Sequence, residues 1–388
     1  MTEARRLLSG QTHAISRRTS ERRFFLVPTD LCRRVVIYAF AVANQDFPRV
    51  QIHVLVAMSN HLELVVSDTH GLSESSQLPD FFAAAHSLIA KAMNKDLERG
   101  ESFWCPGSYR NTEIHDLPAL ADRLVYALAN PAAADLVETL DDWPGVHFGP
   151  EQWTNQEGIP IDRPSGAFFG GRSDLVEPQD PAAARRHRER LRRQRAQVRR
   201  AERQADRERG LTHEEARVAA ALRRKSRQRE RSRERSRATL PDTATLRIVA
   251  PPAYRGREAE MALEILARLK SREAEHRRRR EREDKSVLGR EGVLAVPRTS
   301  SAGSTEADYD MTPVVACKDP ERRKHVLKCL VGWRRRYREA RKAWPEERQP
   351  FPPGTYHMAA QHGAEVMSEA DAQREGLLHA PTGPPASV

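Results

Sequence analysis

His61 and Glu63 stand two apart in Met58-Ser-Asn-His-Leu-Glu-Leu-Val-Val66, a stretch that reads as a β-strand. Side chains alternate faces along a strand, so His61, Glu63 and Val65 share one face. Leu62, Leu64 and Val66 take the other and can bury. An imidazole beside a carboxylate can hold a divalent cation. Further on, Tyr126-Ala-Leu-Ala-Asn130-Pro131 places a tyrosine four residues before an amide. On a helix, that spacing puts both on one face. A metal next to a tyrosine suits the cutting of a phosphodiester. The phenol is a weak nucleophile with an unperturbed pKa of ~10. A cation on the scissile phosphate stabilises the charge that develops and orients phosphorus for in-line attack. Attack by tyrosine leaves a covalent phosphotyrosine and keeps the bond energy for a later joining step.

Plainer readings stand beside these. His61 alone is as readily a structural histidine, and Tyr126 a packed core tyrosine. Asn130-Pro131 can simply end the helix, because proline disfavours helical geometry in the residue before it.

At these residues the chain resembles the REP-associated tyrosine transposases, single-tyrosine members of the HUH endonucleases. Their signature strand reads Pro-Asn-His-hydrophobic-His-Leu, followed on a later helix by Tyr-Ile-x-x-Asn-Pro-Val. The corresponding stretches here are Ser59-Asn60-His61-Leu62-Glu63-Leu64 and Tyr126-Ala127-Leu128-Ala129-Asn130-Pro131-Ala132. Gly10-Gln-Thr-His13-Ala-Ile-Ser-Arg17 resembles the family's first strand. Phe103-Trp104 and Asp141-Asp142-Trp143-Pro144 resemble segments near its last strand and its tyrosine helix. The matches keep the family's order over residues 8–150, and a basic helix with the ending Phe351-Pro-Pro-Gly-Thr-Tyr356 extends the likeness weakly toward the C-terminus. The resemblance implies that Tyr126 is the nucleophile and holds a 5′ phosphate while a 3′ hydroxyl is freed. It implies Mg²⁺ or Mn²⁺ on His61, Glu63 and Asn130, and single-stranded DNA, beside a hairpin, as substrate. It also implies a bacterial, cytoplasmic, nucleoid-associated protein; a homodimer is compatible with it. One departure matters, because Glu63 stands where the family has its second histidine. A carboxylate suits Mg²⁺ or Mn²⁺ at least as well as imidazole does, so the site can persist with a changed metal preference. The other reading is decay, with the geometry lost.

The chain has 388 residues, enough for two or three domains, and a net charge of +11. That balance points to an anionic partner, nucleic acid first and an acidic membrane surface second. No apolar run approaches the ~18 residues of a membrane span, and the N-terminus shows no signal-peptide core. Cys32, Cys105, Cys317 and Cys329 are scattered without a CxxC pair. That spacing argues against a zinc site or a disulfide framework and fits a reducing cytoplasm.

The elements that must position these residues follow from periodicity. Strands are predicted at Thr12–Arg18, Val50–Ala57, His61–Ser67 and Ser108–Ile114, with a tight turn at Met58–Asn60. Helices are predicted over Thr29–Asn44, from Pro79 to about Leu97, and over Leu117–Asn130 entered through Asp116 and Pro118. The order βαββαβα predicts an α+β, ferredoxin-like antiparallel sheet with packed helices, of the HUH endonuclease kind. Beyond this catalytic domain of residues 8–150, the composition divides the chain into four parts. Residues 151–181 read as a linker and 182–298 as a basic helical extension. Residues 299–312 read as a disordered linker, and 313–388 as a basic amphipathic helix and tail. In the Arg-rich stretch 182–238 apolar anchors are few, which describes a solvated charged helix able to lie against phosphates. Thr212-His-Glu-Glu215 resembles a capping box, and Met261, Ile265, Leu266 and Leu269 form a short stripe on a later helix.

Arg17, Arg18, Arg22 and Arg23 form a basic turn suited to phosphate contact. Trp104 and Tyr109 could stack on unpaired bases or belong to the core. His13 and His53 read as sheet residues. No Gly-rich phosphate loop of the P-loop type occurs, so ATP is not implied. Two other functions are compatible with the composition: a catalytically decayed or domesticated nucleic-acid-binding relative, and an RNA-binding adaptor. The adaptor lacks the aromatic strand motif such sheets use.

Overall fold

A computed structural model describes residues 4–69, 76–107, 109–166, 168–169, 240–302, 313–344 and 346–378, with isolated positions between 202 and 223. Most of the Arg-rich stretch 182–238, part of the expected linker 151–181, most of 299–312 and the last ten residues lie outside the described residues.

The architecture is mixed α+β. Strands β1 (Thr12–Arg18), β2 (Val50–Ala57), β3 (His61–Asp68) and β4 (Arg110–Ile114) alternate with helices α1 (Asp30–Asp46), α2 (Leu78–Asp96) and α3 (Leu117–Ala133) in the predicted βαββαβα order. Short edge strands β5 (His147–Phe148) and β8 (Val315–Ala316) complete a six-stranded sheet ordered β5-β2-β3-β1-β4-β8. All pairs are antiparallel except β4 with β8. The turn at Met58–Asn60 closes the β2–β3 hairpin, where the Met58 amide donates to the His61 carbonyl at 2.9 Å.

Local chemistry explains the helix starts. The Thr29 hydroxyl accepts from the Cys32 amide at 3.2 Å, and Asp116 accepts from the Ala119 amide at 2.7 Å. Each satisfies a backbone donor that the first helical turn leaves open. Helix α3 differs from expectation at its other end. It runs through Pro131 to Ala133, because Ala134 and Leu136 donate back to Asn130 and Pro131. Asn130 therefore stays in helical geometry, one turn beyond Tyr126.

Helix α3 lies over the sheet face that carries His61 and Glu63, while α1 and α2 cover the face of Leu62 and Leu64. On that second face the Trp104 indole donates to the His86 carbonyl of α2 at 2.9 Å, and the Arg17 guanidinium lies 5.7 Å from the Trp104 ring. The core residues Ile15, Leu62, Phe40, Phe81 and Phe82 are all at most 1% exposed.

Residues 151–164 and 243–388 belong to the same compact unit as the sheet. By compactness the chain divides into one unit of Met1–Pro164 with Thr243–Val388, and a second of Ser165–Asp242. Strand β6 (Ile159–Asp162), inside the expected linker, pairs antiparallel with β7 (Thr243–Leu246), so the second unit is an insertion between two paired strands. In that insertion Thr212 and Glu215 make the expected reciprocal cap, with the Thr212 amide donating to Glu215 at 2.9 Å.

Within the first unit, helix α4 (Glu258–Glu283) packs along α3 and buries Met261, Ile265 and Leu269. Its Arg280 is buried, donates to the Ala132 carbonyl at 3.1 Å and pairs with Glu138. Leu288 and Gly289, at the start of short helix α5 (Gly289–Ala295), donate to the Asp135 and Leu136 carbonyls. Helix α6 (Pro320–Ala343) buries Val326, Cys329, Leu330 and Trp333, and the Trp333 indole donates to the Pro353 carbonyl at 2.6 Å. The tail, with helices α7 (His357–His362) and α8 (Glu369–Arg374), returns to the N-terminus, where the Leu7 amide meets the Gly354 carbonyl at 3.1 Å. Gly354 has φ +82°, and a Cβ there would stand 3.0 Å from the Leu7 nitrogen. Both facts favour glycine.

Candidate active site

Strand β3 presents His61 and Glu63 on one face, and α3 lowers Asn130 onto them. Glu63 Oε1 lies 3.7 Å from His61 Nε2, and Asn130 Nδ2 lies 3.2 Å from the same nitrogen. On its other side, His61 Nδ1 is 2.7 Å from the side-chain oxygen of Asn60. An amide oxygen can only accept, so Nδ1 carries the proton and Nε2 presents its lone pair toward Glu63 and Asn130. Asn60 is thus a positioning residue for the imidazole.

Strand register adds two groups. Glu63 sits opposite Ser16 and His61 opposite Arg18 across the β1–β3 ladder. Burial lowers the His61 pKa to about 4, with Arg18 adding to the effect, so the ring is neutral at neutral pH. Burial raises Glu63 to about 7, against the opposing pull of a Ser16 hydrogen bond and of Arg18 and Arg123. Burial is the dominant cause, and the positive charges nearby do not outweigh it.

Imidazole, carboxylate and amide oxygen are donor types that a divalent cation takes. Ligands at neighbouring corners of an octahedron with ~2.1 Å bonds are about 3 Å apart; Asn130 stands 3.2 Å and Glu63 3.7 Å from His61 Nε2. Turning the Asn130 amide over puts its oxygen where the nitrogen now lies, and the two orientations differ only in hydrogen bonding. Among the described residues, no group of three or more His, Cys, Asp or Glu side chains is arranged to hold a metal ion. Any cation here would depend on the amide as its third protein donor.

Tyr126 is 55% exposed on the same helix, and the Arg123 guanidinium lies 5.8 Å from its ring centroid, within cation–π range. A phenol open to solvent beside a guanidinium can receive an anionic ligand, which a core tyrosine cannot.

The expected basic turn does not form one surface. Arg17 and Arg18 are consecutive on β1 and so point to opposite faces. Arg18 joins the site, whereas Arg17 stacks over Trp104 and donates to the Gly107 carbonyl at 3.2 Å. Arg23 pairs with Glu21 at 2.7 Å and reaches the Thr299 carbonyl, and the Arg22 carbonyl accepts from Asn60 at 3.4 Å. Trp104 and Tyr109 are buried among Phe82, His86 and Phe103. His53 is buried between the Val249 carbonyl and Ser67, and His13 is buried near Glu113. Ser16, Asn60 and Arg123 join the residues to which the sequence motifs point. Asn60 carried a signal, as the neighbour of His61; Ser16 needed the strand register and Arg123 the docking of α3.

No helix among the described residues is long and apolar enough to cross a membrane. No family model matches the chain, and no curated protein does. A solved structure of a REP-associated tyrosine transposase bound to a REP hairpin is similar at 20% identity. The match covers 43% of this chain and 93% of that one, with a TM-score of 0.32.

Proposed function

We propose that this chain is a single-tyrosine transposase of the HUH kind, which cuts and rejoins single-stranded DNA through Tyr126 with Mg²⁺ or Mn²⁺ held by His61, Glu63 and Asn130. The observation that carries this reading is the convergence of Asn130 and Glu63 on the lone pair of His61, one helical turn from an exposed tyrosine. The ferredoxin-like strand order β2-β3-β1-β4 suits it, because the two central strands carry the charged face under α3.

A bound cation supplies charge neutralisation on the scissile phosphate. The chain's own residues do the rest. Asn60 holds the His61 tautomer, and Arg18 and Arg123 add positive charge beside the carboxylate. Tyr126 Oη forms the new bond to phosphorus and gives up its proton. The bond from phosphorus to the 3′ oxygen breaks, and that oxygen leaves as a hydroxyl after taking a proton. Reversal of the same steps rejoins a strand. The substrate proposed is single-stranded DNA beside a hairpin.

A second reading has its own support. Asn130 faces His61 with a hydrogen-bond donor, so the imidazole lone pair is also satisfied without a metal, as in a decayed relative that binds nucleic acid only.

Incubation of the full chain with end-labelled single-stranded DNA and Mn²⁺ separates the two. A covalent protein–DNA adduct that Tyr126→Phe abolishes, with DNA affinity unchanged, is the expected result. An adduct that survives Tyr126→Phe assigns the attack to another residue, and no adduct from the unaltered chain favours the second reading.

A further inference from the structure

Tyr126 forms part of the wall of a cleft of about 470 Å³ between α3, α4 and the β8–α6 junction. Ala119, Ala129 and Ala133 of α3, with Val315 and Ala316 of β8, give it an apolar floor. Arg123, Arg272, His276, Lys318 and Arg323 surround it, with Asp122 as the one acid among the lining residues. The cleft is in the size range of small-ligand sites, roughly 300–1,000 Å³. Its chemistry is divided in the way a nucleotide is divided, with apolar surface for the faces of a base and cations for a phosphate.

The cations are placed to engage an anion. Arg272 and Lys318 have side chains 50% and 60% exposed. Lys318 is held by Asp122 at 2.5 Å across the rim, with Asp122 43% exposed. Ion pairs this open to water are weak, so a phosphate can take the place of Asp122. Arg123 belongs to both regions, since it lies over the Tyr126 ring and acts on Glu63. The floor is fixed from behind. Asp116 Oδ2 accepts from the amides of Lys318 and Asp319 at 2.5 and 3.1 Å, which ties the β8–α6 junction to the start of α3.

We propose that this cleft seats the nucleotide next to the scissile phosphate, with its base on the alanine floor and its phosphate between Arg123, Arg272 and Lys318. The proposal rests on Tyr126 being the nucleophile. It makes residues 272–276 and 313–323 determinants of which DNA is cut, although both segments lie far along the chain from the His61 strand. Continuity with Tyr126 is what favours a strand of DNA over a free anion: a nucleotide held here is one position from the phosphate that Tyr126 would attack.

The test uses the full chain with Mn²⁺ and a set of single-stranded oligonucleotides, each carrying one abasic position near the cut. One position beside the cut is expected to lower the rate of adduct formation about tenfold when its base is removed, in keeping with the value of a base held on a protein surface. Ala133→Trp, which fills the cleft from a partly exposed position, should slow adduct formation on intact DNA by a similar factor and erase the abasic effect. If Ala133→Trp leaves the rate and the abasic profile unchanged, the cleft proposal is overturned while the role of Tyr126 stands. A second measurement does not depend on cleavage. Arg272→Glu with Lys318→Glu, in the Tyr126→Phe chain, should reduce the log–log salt slope of oligonucleotide binding by about 0.7 for each phosphate that is no longer neutralised. An unchanged slope overturns the proposal even if the unaltered chain forms no adduct.

Discussion

Glu113 offers a sharp test of how the C-terminal segments are held to the sheet. Its carboxylate is 3% exposed and accepts from Arg6 Nε at 3.0 Å, Arg6 Nη2 at 2.6 Å and His115 Nε2 at 3.1 Å. Arg6 also donates to the Leu377 carbonyl at 3.1 Å, so the pair links β4, the N-terminal segment and the end of the tail. Burial alone would raise the Glu113 pKa, but Arg6 and His115 outweigh it and hold the group at about 2, against an ordinary 4.5. At 1.36 kcal/mol per unit, that depression contributes about 3 kcal/mol at neutral pH. The folded value lies below the unfolded one. The contribution is therefore complete above pH ~4.5 and is lost as pH falls toward 2, with about 1 kcal/mol left at pH 3. Glu113→Gln leaves a buried guanidinium without its anion and should cost about 3–5 kcal/mol, most of which Arg6→Met with Glu113→Leu should restore. Urea unfolding followed by tryptophan fluorescence at pH 7 and pH 3.5 measures both effects. A Glu113→Gln chain within 1 kcal/mol of the parent at pH 7, or one that loses stability between pH 5 and 3 as steeply as the parent, would refute this reasoning.

Other outcomes follow from the site and the insertion. Glu63→His restores the family's residue; if the natural protein is active, the variant should change the preference between Mg²⁺ and Mn²⁺, and adduct formation by the variant alone would establish decay. Asn60→Ala frees the His61 tautomer and should weaken Mn²⁺ binding about 10–100-fold by calorimetry, and equal affinity would remove Asn60 from the site. Asp162 and Thr243 are paired neighbours, and the Thr243 hydroxyl donates to Asp162 at 2.8 Å. Replacing residues 163–242 with a two-residue Asn-Gly turn should therefore keep the first unit folded. The salt dependence of DNA binding should flatten, by about 0.7 in log–log slope for every phosphate the insertion neutralises. An identical slope would show that the Arg-rich insertion does not touch DNA.

Local features were legible because they rest on neighbouring residues. The alternation of His61 to Val66 set a strand with two chemically different faces, and Thr29 and Asp116 marked helix starts that the backbone uses. Tyr126 and Asn130 share a helix face for the same reason. The division of Arg17 from Arg18 was also present in the sequence, since consecutive strand residues face opposite ways; a run of charge concealed it. The end of α3 departs from the local signal, because proline's preference yields when later amides return to the Asn130 and Pro131 carbonyls.

The tertiary structure decided what depends on register and long-range packing. No local pattern states that Ser16 stands opposite Glu63, that α4 lies along α3, or that β6 pairs with β7 across an insertion of some eighty residues. The composition break after residue 150 looked like a boundary, yet residues 243 onward bury Ile265, Arg280 and Trp333 in the same unit as the sheet. Apolar residues and buried ion pairs record only that they need partners. Which partners they meet is settled by how the helices dock on the sheet, and that docking brings Arg272 and Lys318 to Tyr126.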